Sequence, residues 1–231
     1  MTIVLLTCEH AAYKLPDEFS ELMNIPPEIL TSHRGWDQGA YIFYNHMSNF
    51  LKCKSFAGDY SRLLIDLNRS IHSKNLYSQF SGKLPHDTKK KILEKYYLPY
   101  RRSVESFTNQ QVKEKRKVVH LSLHSFTPEL HGQTRNADVG LLYDPRRVKE
   151  SELAEAMKKE LLAKVSALRI RRNYPYLGVS DGITSFLRKK FTPQNYLGFE
   201  IELNQNLFSE KKKLYSEIEN YFPDIIQRLI H

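Results

Sequence analysis

The chain has 231 residues, a formal net charge of +9, 41% hydrophobic residues and 12% aromatic residues. This apolar content excludes an intrinsically disordered chain, and the scattered 9 Gly and 10 Pro exclude a collagen-like one. The positive charge is compatible with nucleic acid, an acidic membrane surface or an anionic small molecule, and it does not indicate a fold.

Strands and helices are predicted to alternate along the chain. Short apolar runs predict strands over residues 3–7, 62–67, 118–123 and 196–203. Helical spacing of apolar residues predicts helices over 37–52, 86–115, 150–168, 182–190 and 209–230, with Pro99 kinking or dividing the second helix. This alternation favours an α/β fold, a three-layer sandwich with a central, mostly parallel mixed sheet. Because no repeat or linker interrupts it, a single domain over residues 1–231 is expected.

Cysteine content and hydropathy predict the cellular location of the protein. Cys8 and Cys53 are the two cysteines, too few for a disulfide framework, which fits a reducing cytosol. The apolar run at residues 3–6 is short and follows no basic segment, so it predicts a buried strand rather than a signal peptide or membrane anchor. No run approaches the roughly 18 apolar residues of a spanning helix. A cytoplasmic protein without a membrane partner is expected, and its oligomeric state is left open.

Polar residues stand where three of the predicted strands end. Glu9 and His10 follow the first strand, His124 follows the third, and Glu200 and Glu202 lie at the carboxyl end of the fourth. Ligands of open α/β sheets bind outside the carboxyl ends of the strands. Histidines and carboxylates gathered there can build a catalytic zinc site, with three protein ligands and one position for water.

Each of these residues also has a simpler structural interpretation. A histidine after a strand is commonly a hydrogen-bonded core residue, and Glu200 and Glu202 could lie on a solvent-facing strand edge. His120 stands in the middle of a strand, which favours packing or a supporting contact behind the site. No HExxH or CxxC motif is present, so the residues alone leave a metal site open.

Five strings follow one another along residues 8–207: CEHAA, GWDQGA, SRLLIDLNRS, LHSFTPEL and GFEIELNQNL. In this order they resemble the N-formylglutamate amidohydrolase family, which is similar in fold to the zinc carboxypeptidases and aspartoacylases. The resemblance implies a zinc-dependent hydrolase that cleaves the amide bond of an N-formyl or N-acyl amino acid. In the namesake reaction, N-formyl-L-glutamate yields formate and L-glutamate. The implied partner is a small anionic substrate.

The resemblance also implies a set of metal ligands. His10 and His124 would bind zinc, and Asp37 is chosen as the third ligand because it belongs to the family pattern. Glu9 is the alternative third ligand, although alternation along a strand would turn it to the opposite face from His10. The HxxE motif of related carboxypeptidases would place a carboxylate at position 13. Tyr13 stands there, so this chain departs from that motif.

Glu202 is the implied general base, which would take a proton from water and pass it to the leaving amine. Glu200, two residues away on the same strand face, would raise the pKa of Glu202 if both side chains are buried. Arg62 is expected either to clamp a carboxylate or to polarise the scissile carbonyl. Asp66 is expected to support the site by pairing with an arginine.

Asn68 and Arg69 resemble the Asn–Arg pair with which zinc carboxypeptidases bind a substrate carboxylate. A planar guanidinium suits this role because it forms two parallel hydrogen bonds to a carboxylate. Arg135 would reach the second carboxylate of a dicarboxylic substrate. Residues 173–182, with one Pro and two Gly, are predicted to form a loop over the pocket.

Other functions remain open at this stage. Cys8 precedes His10 by two residues, so a thiolate–imidazole pair is conceivable, although a small apolar residue is the simpler interpretation. A metallo-carboxypeptidase-like hydrolase of another N-acyl amino acid or small peptide is an alternative. Nucleic-acid binding is a third, based on basic clusters such as 113–117 and 169–172. It is disfavoured because no zinc-finger spacing, RNP-like string or helix-turn-helix signature accompanies them.

Overall fold

The structure, a computed structural model, describes residues 1–230, and the final residue of the predicted domain, His231, lies outside this range. The strands are β1 Thr2–Cys8, β2 Lys54–Ala57, β3 Lys117–Phe126, β4 Glu129–Leu130, β5 Gln133–Thr134, β6 Val139–Leu142, β7 Ile170–Arg172 and β8 Tyr196–Asn204. The α-helices are α1 Asp17–Met23, α2 Pro27–Leu30, α3 Ala40–Leu51, α4 His86–Ile92, α5 Leu98–Lys113, α6 Val148–Lys164, α7 Ile183–Lys190, α8 Asn206–Ser209 and α9 Lys212–Ile230. One 3₁₀ turn, Ser81–Lys83, precedes α4.

A six-stranded sheet forms the centre of the fold, with the strand order β2-β1-β3-β8-β6-β7. The first four strands in that order are parallel, β6 runs antiparallel to β8, and β7 is parallel to β6. The predicted α/β fold with a mostly parallel mixed sheet is therefore confirmed. In the register of β3 and β8, His124 lies opposite Glu202, which places two of the candidate site residues side by side.

One face of the sheet is apolar along its whole length. Strand residues that point to this face, such as Leu6, Leu121 and Phe199, are completely buried. They pack in one cluster with side chains of α3, α6 and α9, among them Phe43, Met47, Met157, Leu161, Ile218 and Phe222. This cluster is the main core of the protein.

The opposite face is apolar only at the amino ends of the strands. There Leu5, Val118 and Tyr196 pack with Val104 of α5 and Ile183 of α7. Toward the carboxyl ends, the same face becomes polar. It then presents Thr7, His120, Ser122, His124, Glu200 and Glu202, and Glu9 follows β1. With helices on both sides, the sheet is the middle layer of three, as predicted.

The predicted strand over residues 62–67 is wrong. This segment is a turn-rich loop in which the Leu64 N–H bonds to the Ser61 carbonyl and the Asp66 N–H to the Leu76 carbonyl. Its apolar residues, including Leu64 and Ile65, are buried in a separate cluster with α1 and α4. A short apolar run shows only that a segment is buried, and a buried loop satisfies it equally well.

The predicted helices are found, with shifted ends. Helix 37–52 begins only at Ala40, because Gly39 adopts a left-handed φ of 81° that a helix does not contain. Helix 86–115 is found as a continuous helical segment made of α4, a π-helical part at Leu93–Tyr97, and α5. The backbone stays helical from His86 to Lys113, so Pro99 does not break the helix; the π-helical segment directly before Pro99 is the irregularity found there. Across residues 1–230, we find no helix with the length and hydropathy of a membrane span.

Candidate active site

Three buried polar side chains meet at the carboxyl edge of the sheet. His10 follows β1, Asp37 lies just before α3, and His124 is on β3; their potential ligand atoms lie within 4.8 Å of one another. Asp37 Oδ2 is 3.2 Å from His10 Nδ1 and 2.8 Å from His124 Nδ1. The backbone fixes this arrangement, since the Asp37 N–H donates to the His10 carbonyl at 3.0 Å. Two imidazole nitrogens and one carboxylate oxygen thus face a common centre.

The outer nitrogen of each imidazole is held by a carboxylate. His10 Nε2 lies 2.7 Å from Asp66 Oδ1, and His124 Nε2 lies 3.2 Å from Glu9 Oε2 and 2.9 Å from Ser122 Oγ. Histidines that bind a metal usually donate their second ring N–H in this way, which fixes the ring orientation. Both rings are therefore held with Nδ1 toward the common centre.

Glu9, the alternative third ligand, does not face that centre. It accepts hydrogen bonds from the hydroxyls of Ser122 at 2.6 Å and Tyr100 at 2.8 Å, beside the outer nitrogen of His124. Burial would raise the pKa of Glu9, but its contacts with His124 and Ser122 lower the pKa overall, so the carboxylate is ionised. The structure brings Asp37, and not Glu9, to both inner ring nitrogens.

Arg62 is fixed between two carboxylates at the edge of the centre. Its guanidinium lies 2.9 Å from Asp66 Oδ2 and 3.4 Å from Asp37 Oδ1. Burial would raise the pKa of Asp66, but Arg62 and His10 hold it well below its usual range. The predicted pairing of Asp66 with an arginine is confirmed. Its contact with His10 was not predicted, and the sequence carries no signal for it because the two residues are far apart in the chain.

Glu202 is the most unusual carboxylate of this group. Only 4% of the residue is exposed, and its Oε2 has no hydrogen-bond partner within the described residues. Burial raises the pKa of Glu202 to about 7, and the negative charges of Asp37 and Glu200 add to the rise. Buried polar atoms are normally satisfied, so an unpartnered carboxylate oxygen here indicates a place for a ligand or water.

A glycine on the neighbouring strand makes room for Glu202. A Cβ at Gly140 of β6 would lie 2.1 Å from the Tyr174 carbonyl oxygen and 3.2 Å from Glu202 Cβ. Any larger residue at position 140 would therefore displace either the loop at Tyr174 or the strand that carries Glu202.

A cavity of about 320 Å³ opens in front of these groups. The predicted loop over residues 173–182 forms one wall, as expected, and contributes Tyr176, Leu177, Ser180 and Asp181. The remaining lining residues are His10, Asp37, Arg62, Asn68, Arg69, Ser73, Asn75, His124, Ser125, Glu200 and Glu202. The candidate catalytic residues therefore share one cavity with Asn68 and Arg69.

Asn68 and Arg69 are held at the cavity wall by neighbouring segments. Asn68 Oδ1 accepts the Ile183 N–H at the start of α7 at 2.8 Å, and its Nδ2 lies 3.4 Å from His124 Nε2. Arg69 donates through one terminal nitrogen to the Asp181 carbonyl at 2.5 Å. Arg69 Nε lies 3.8 Å from Asp66 Oδ2, and Arg69 lines the cavity with about 31% of its side chain exposed.

Arg135 has a different environment from the other candidate residues. It is not among the residues that line the cavity within the described chain. Its guanidinium carbon lies 5.1 Å from the Tyr176 ring centroid and 5.9 Å from that of Phe126, and one terminal nitrogen is 3.4 Å from Thr127 Oγ1. Tyr176 lines the cavity, so the Arg135 guanidinium contacts a residue of the cavity wall without lining the cavity itself.

Cys8 and His120 occupy structural positions. Cys8 is completely buried in the core cluster with Val4 and Leu6, and burial raises the pKa of its thiol well above the ordinary value. A reactive thiolate paired with an imidazole is therefore contradicted. His120 lies between Thr7 Oγ1 at 2.8 Å and the Tyr196 hydroxyl at 2.7 Å, and burial lowers its pKa to about 4. It is a neutral, hydrogen-bonded residue of the sheet, as predicted.

The donors at the common centre fit a transition-metal ion. Catalytic zinc sites use three protein ligands from histidine and carboxylate groups and leave one position open. His10, Asp37 and His124 supply that set, with their outer atoms already hydrogen-bonded. The unpartnered oxygen of Glu202 lies at the same edge of the sheet, where an activated water would need an acceptor.

Comparison with known proteins places the chain in a family. The family model described as N-formylglutamate amidohydrolase matches residues 2–209. A gene product of Agrobacterium tumefaciens has a similar structure, with 28% identity, a TM-score of 0.82 and coverage of 99% of this chain and 90% of its own. An N-formylglutamate amidohydrolase from Ralstonia eutropha has a similar fold, with 18% identity, a TM-score of 0.74 and coverage of 99% and 94%. No curated protein matches the sequence. Because the family model covers most of the chain, this protein belongs to the N-formylglutamate amidohydrolase family, a family of amide-hydrolysing enzymes.

Proposed function

We propose that this protein is a zinc-dependent hydrolase that cleaves the amide bond of an N-formyl or other N-acyl amino acid. The observation that carries the proposal is the convergence of His10, Asp37 and His124 beside the unpartnered carboxylate of Glu202. N-formyl-L-glutamate is the first substrate to test, because the matching family is described by that activity. Its hydrolysis would give formate and L-glutamate.

His10 Nδ1, Asp37 Oδ2 and His124 Nδ1 would hold the ion. Two imidazoles with one carboxylate favour zinc over magnesium or calcium, which prefer oxygen ligands alone. When bound, zinc supplies Lewis acidity that lowers the pKa of a water and polarises a carbonyl. Asp66 and Glu9 hold the two imidazoles in the orientation that this binding requires.

Glu202 would move the proton in the reaction. Its buried carboxylate, with one oxygen free of hydrogen-bond partners in the described residues, can accept a proton from a water and release it again. The attacking water forms a bond from its oxygen to the acyl carbon, and Glu202 takes its proton. The carbon–nitrogen bond then breaks, and Glu202 passes the proton to the departing amine nitrogen. The products are a carboxylic acid, which is formate for an N-formyl substrate, and the free amino acid.

Arginines would complete substrate binding. We propose that Arg62, fixed by Asp37 and Asp66, stabilises the negative charge that develops on the carbonyl oxygen without having to reorganise. Asn68 and Arg69 would bind the α-carboxylate of the substrate. Arg135 stays a predicted contact for a second carboxylate, and it would have to leave its position over Tyr176 to make that contact.

The cellular location, the domain organisation and the kind of partner are proposed as the sequence predicts them. We propose a cytoplasmic enzyme whose single domain extends over the whole chain, with a small anionic substrate as its partner. Cys8 and Cys53 are both free thiols, which is compatible with a reducing compartment.

Metal analysis joined to a formate-release assay tests the proposed function. The purified protein should contain about one zinc per chain. It should hydrolyse at least one member of a panel of N-formyl and N-acetyl amino acids. This activity should be lost with a chelator and restored by adding zinc. His10→Ala should lose both zinc and activity, whereas His86→Ala, an exposed histidine on α4, should retain both. A protein without bound transition metal that hydrolyses no member of the panel would refute the proposal.

A further inference from the structure

The loop that forms one wall of the cavity contacts the body of the protein at Gly178. This glycine is buried, whereas its neighbours Leu177 and Val179 are exposed. A Cβ at Gly178 would lie 2.1 Å from the Tyr143 backbone nitrogen and 2.4 Å from the Tyr143 carbonyl oxygen. The loop backbone therefore packs directly on the chain that follows β6, and a larger residue at position 178 would push the wall outward.

Arg188 of α7 holds the loop at this point. One terminal nitrogen of its guanidinium donates to the Gly178 carbonyl at 2.6 Å, and the other donates to the Gly198 carbonyl at 2.6 Å. Gly198 lies on β8, the strand that also carries Glu202. A single guanidinium thus connects the cavity wall to the strand of the candidate general base.

A buried carboxylate on α6 directs this guanidinium. Arg188 Nε lies 3.1 Å from each carboxylate oxygen of Glu150, which also accepts the backbone N–H groups of Gly198 at 3.1 Å and Asp144 at 2.9 Å. Glu150 is completely buried and Arg188 is 8% exposed. Such a pair adds little net stability, because desolvation offsets much of the attraction. Among the described residues that line the cavity, neither of the two occurs.

The same loop also holds a residue of the proposed substrate site. Its Asp181 carbonyl accepts a hydrogen bond from Arg69 at 2.5 Å, and Asp181 Oδ2 accepts the Ser70 N–H at 3.1 Å. Ser185 of α7 donates its hydroxyl to the Ser180 carbonyl at 2.6 Å. A displacement of the loop would therefore change both the shape of the cavity and the position of Arg69.

We infer that Arg188, oriented by Glu150, is a positioning residue that fixes the cavity wall and Arg69 for substrate binding. This inference rests on the proposed function and adds residues that act on the site from outside the cavity. β8 is paired with β3 on one side and β6 on the other, so it keeps its place without Arg188. The loop has no strand pairing within residues 1–230. Loss of Arg188 should therefore weaken substrate binding more than turnover or metal binding.

A double variant, Glu150→Gln with Arg188→Met, tests this without leaving an unpaired buried charge. With the N-formyl amino acid that the zinc-loaded wild type hydrolyses, its KM should rise about tenfold or more, because charge-assisted hydrogen bonds to the wall are lost. Its kcat should stay within about threefold of wild type, and its zinc content should be unchanged. Arg172→Met is the control, since Arg172 is an exposed arginine that pairs with Glu155 of the same helix α6. This control should leave KM as in wild type.

Arg188→Lys is a second variant that retains the buried charge. Lysine keeps a cation beside Glu150, but its single nitrogen replaces the two that donate to Gly178 and Gly198. Its KM should also rise, by a smaller factor than that of the double variant. If the double variant does not fold, this variant decides.

Limited proteolysis gives a readout that does not depend on activity. Chymotrypsin cleaves after tyrosine and leucine, and the loop exposes Tyr176 and Leu177. Mass spectrometry should show faster cleavage at these two sites in both Arg188 variants than in wild type or Arg172→Met. Folded Arg188 variants with wild-type KM and wild-type cleavage overturn the inference while the proposed function stands. Absence of hydrolysis for every N-acyl amino acid refutes the proposed function, and proteolysis then still decides whether Arg188 holds the loop.

Discussion

The two faces of the central sheet are made by the same strands and have opposite chemistry. On β3, Leu121 and Leu123 point into the main core, whereas Ser122 and His124 alternate with them and point to the candidate site. The apolar face is uniform from one end of the strands to the other. The face of the site changes along the strand, from apolar at the amino ends to polar at the carboxyl ends.

This difference shows how the fold accommodates a site whose burial is unfavourable in free energy. Burying carboxylates and imidazoles is unfavourable unless each is paired, and even a paired group adds little to stability. The candidate site pairs its buried groups, with Glu202 Oε2 as the one exception found within the described chain. The apolar face supplies the hydrophobic free energy that the polar face lacks. We therefore expect mutations on one face to alter chemistry and those on the other to alter stability.

The largest effect is expected at the unpartnered carboxylate. Glu202→Gln keeps the shape of the side chain but removes its ability to accept a proton. Because general base catalysis contributes about 10²–10⁴-fold, kcat should fall by that factor. Zinc content measured by elemental analysis should remain near wild type. Loss of zinc in this variant would instead identify Glu202 as a metal ligand. The assignment of Glu202 as the general base would then be wrong.

A pair of neighbouring residues on β3 compares the two faces directly. Leu121→Ala should destabilise the protein by about 2–5 kcal/mol because it opens a cavity in the main core. Ser122→Ala removes the hydroxyl contacts with Glu9 and His124 and should cost about 1–3 kcal/mol, because one of its partners is a buried carboxylate. Urea denaturation gives both values, and zinc titration of the folded proteins should show weaker binding only for Ser122→Ala. Equal losses of stability for the two variants would contradict the expectation that the apolar face contributes more to stability than the face of the site.

A smaller effect is expected behind the candidate metal centre, at Glu9. Glu9→Gln removes the charge beside His124 Nε2 while retaining a side chain that can hydrogen-bond. Zinc affinity should fall by about 10–100-fold, as is usual when the partner of a ligating histidine is lost. Competition with a chelator measures this change. Tyr100→Phe, which removes another partner of Glu9, should weaken zinc binding by a smaller factor. Complete loss of zinc in Glu9→Gln would indicate that Glu9 is itself a ligand.

Much of the sheet and the position of the site were predictable from the sequence. The apolar strands over residues 3–7 and 118–123 are strong signals, and β1 and β3 occupy those positions. Polar residues at strand ends predicted an edge where His10, His124 and Glu202 come close together. The short or polar elements β2, β6, β7, α1 and α2 carry too few periodic residues to be recognised.

The supporting contacts were not predictable, for a physical reason. Asp66 reaches His10 from a buried loop, and the sequence pattern assigned that loop to a strand. Glu9 is adjacent to His10 in the sequence, but its carboxylate contacts the His124 ring. This contact forms because β1 and β3 are paired in the sheet. Local patterns describe which residues are buried and at what period, whereas these contacts depend on how distant segments are brought together.

The smallest effect is expected at Cys8, which is two residues from His10 in sequence but belongs to the apolar face. Burial keeps its pKa well above the ordinary value, so the thiol remains protonated and cannot serve as a nucleophile at neutral pH. Cys8→Ala should therefore retain kcat within about twofold and lose at most about 1–2 kcal/mol of stability, because one small apolar atom is removed from the core. Formate release and urea denaturation of the same preparation measure both quantities. A large loss of kcat with unchanged stability and zinc content would mean that the site extends through β1 to the other face of the sheet, because a purely apolar contact has no means of changing turnover alone.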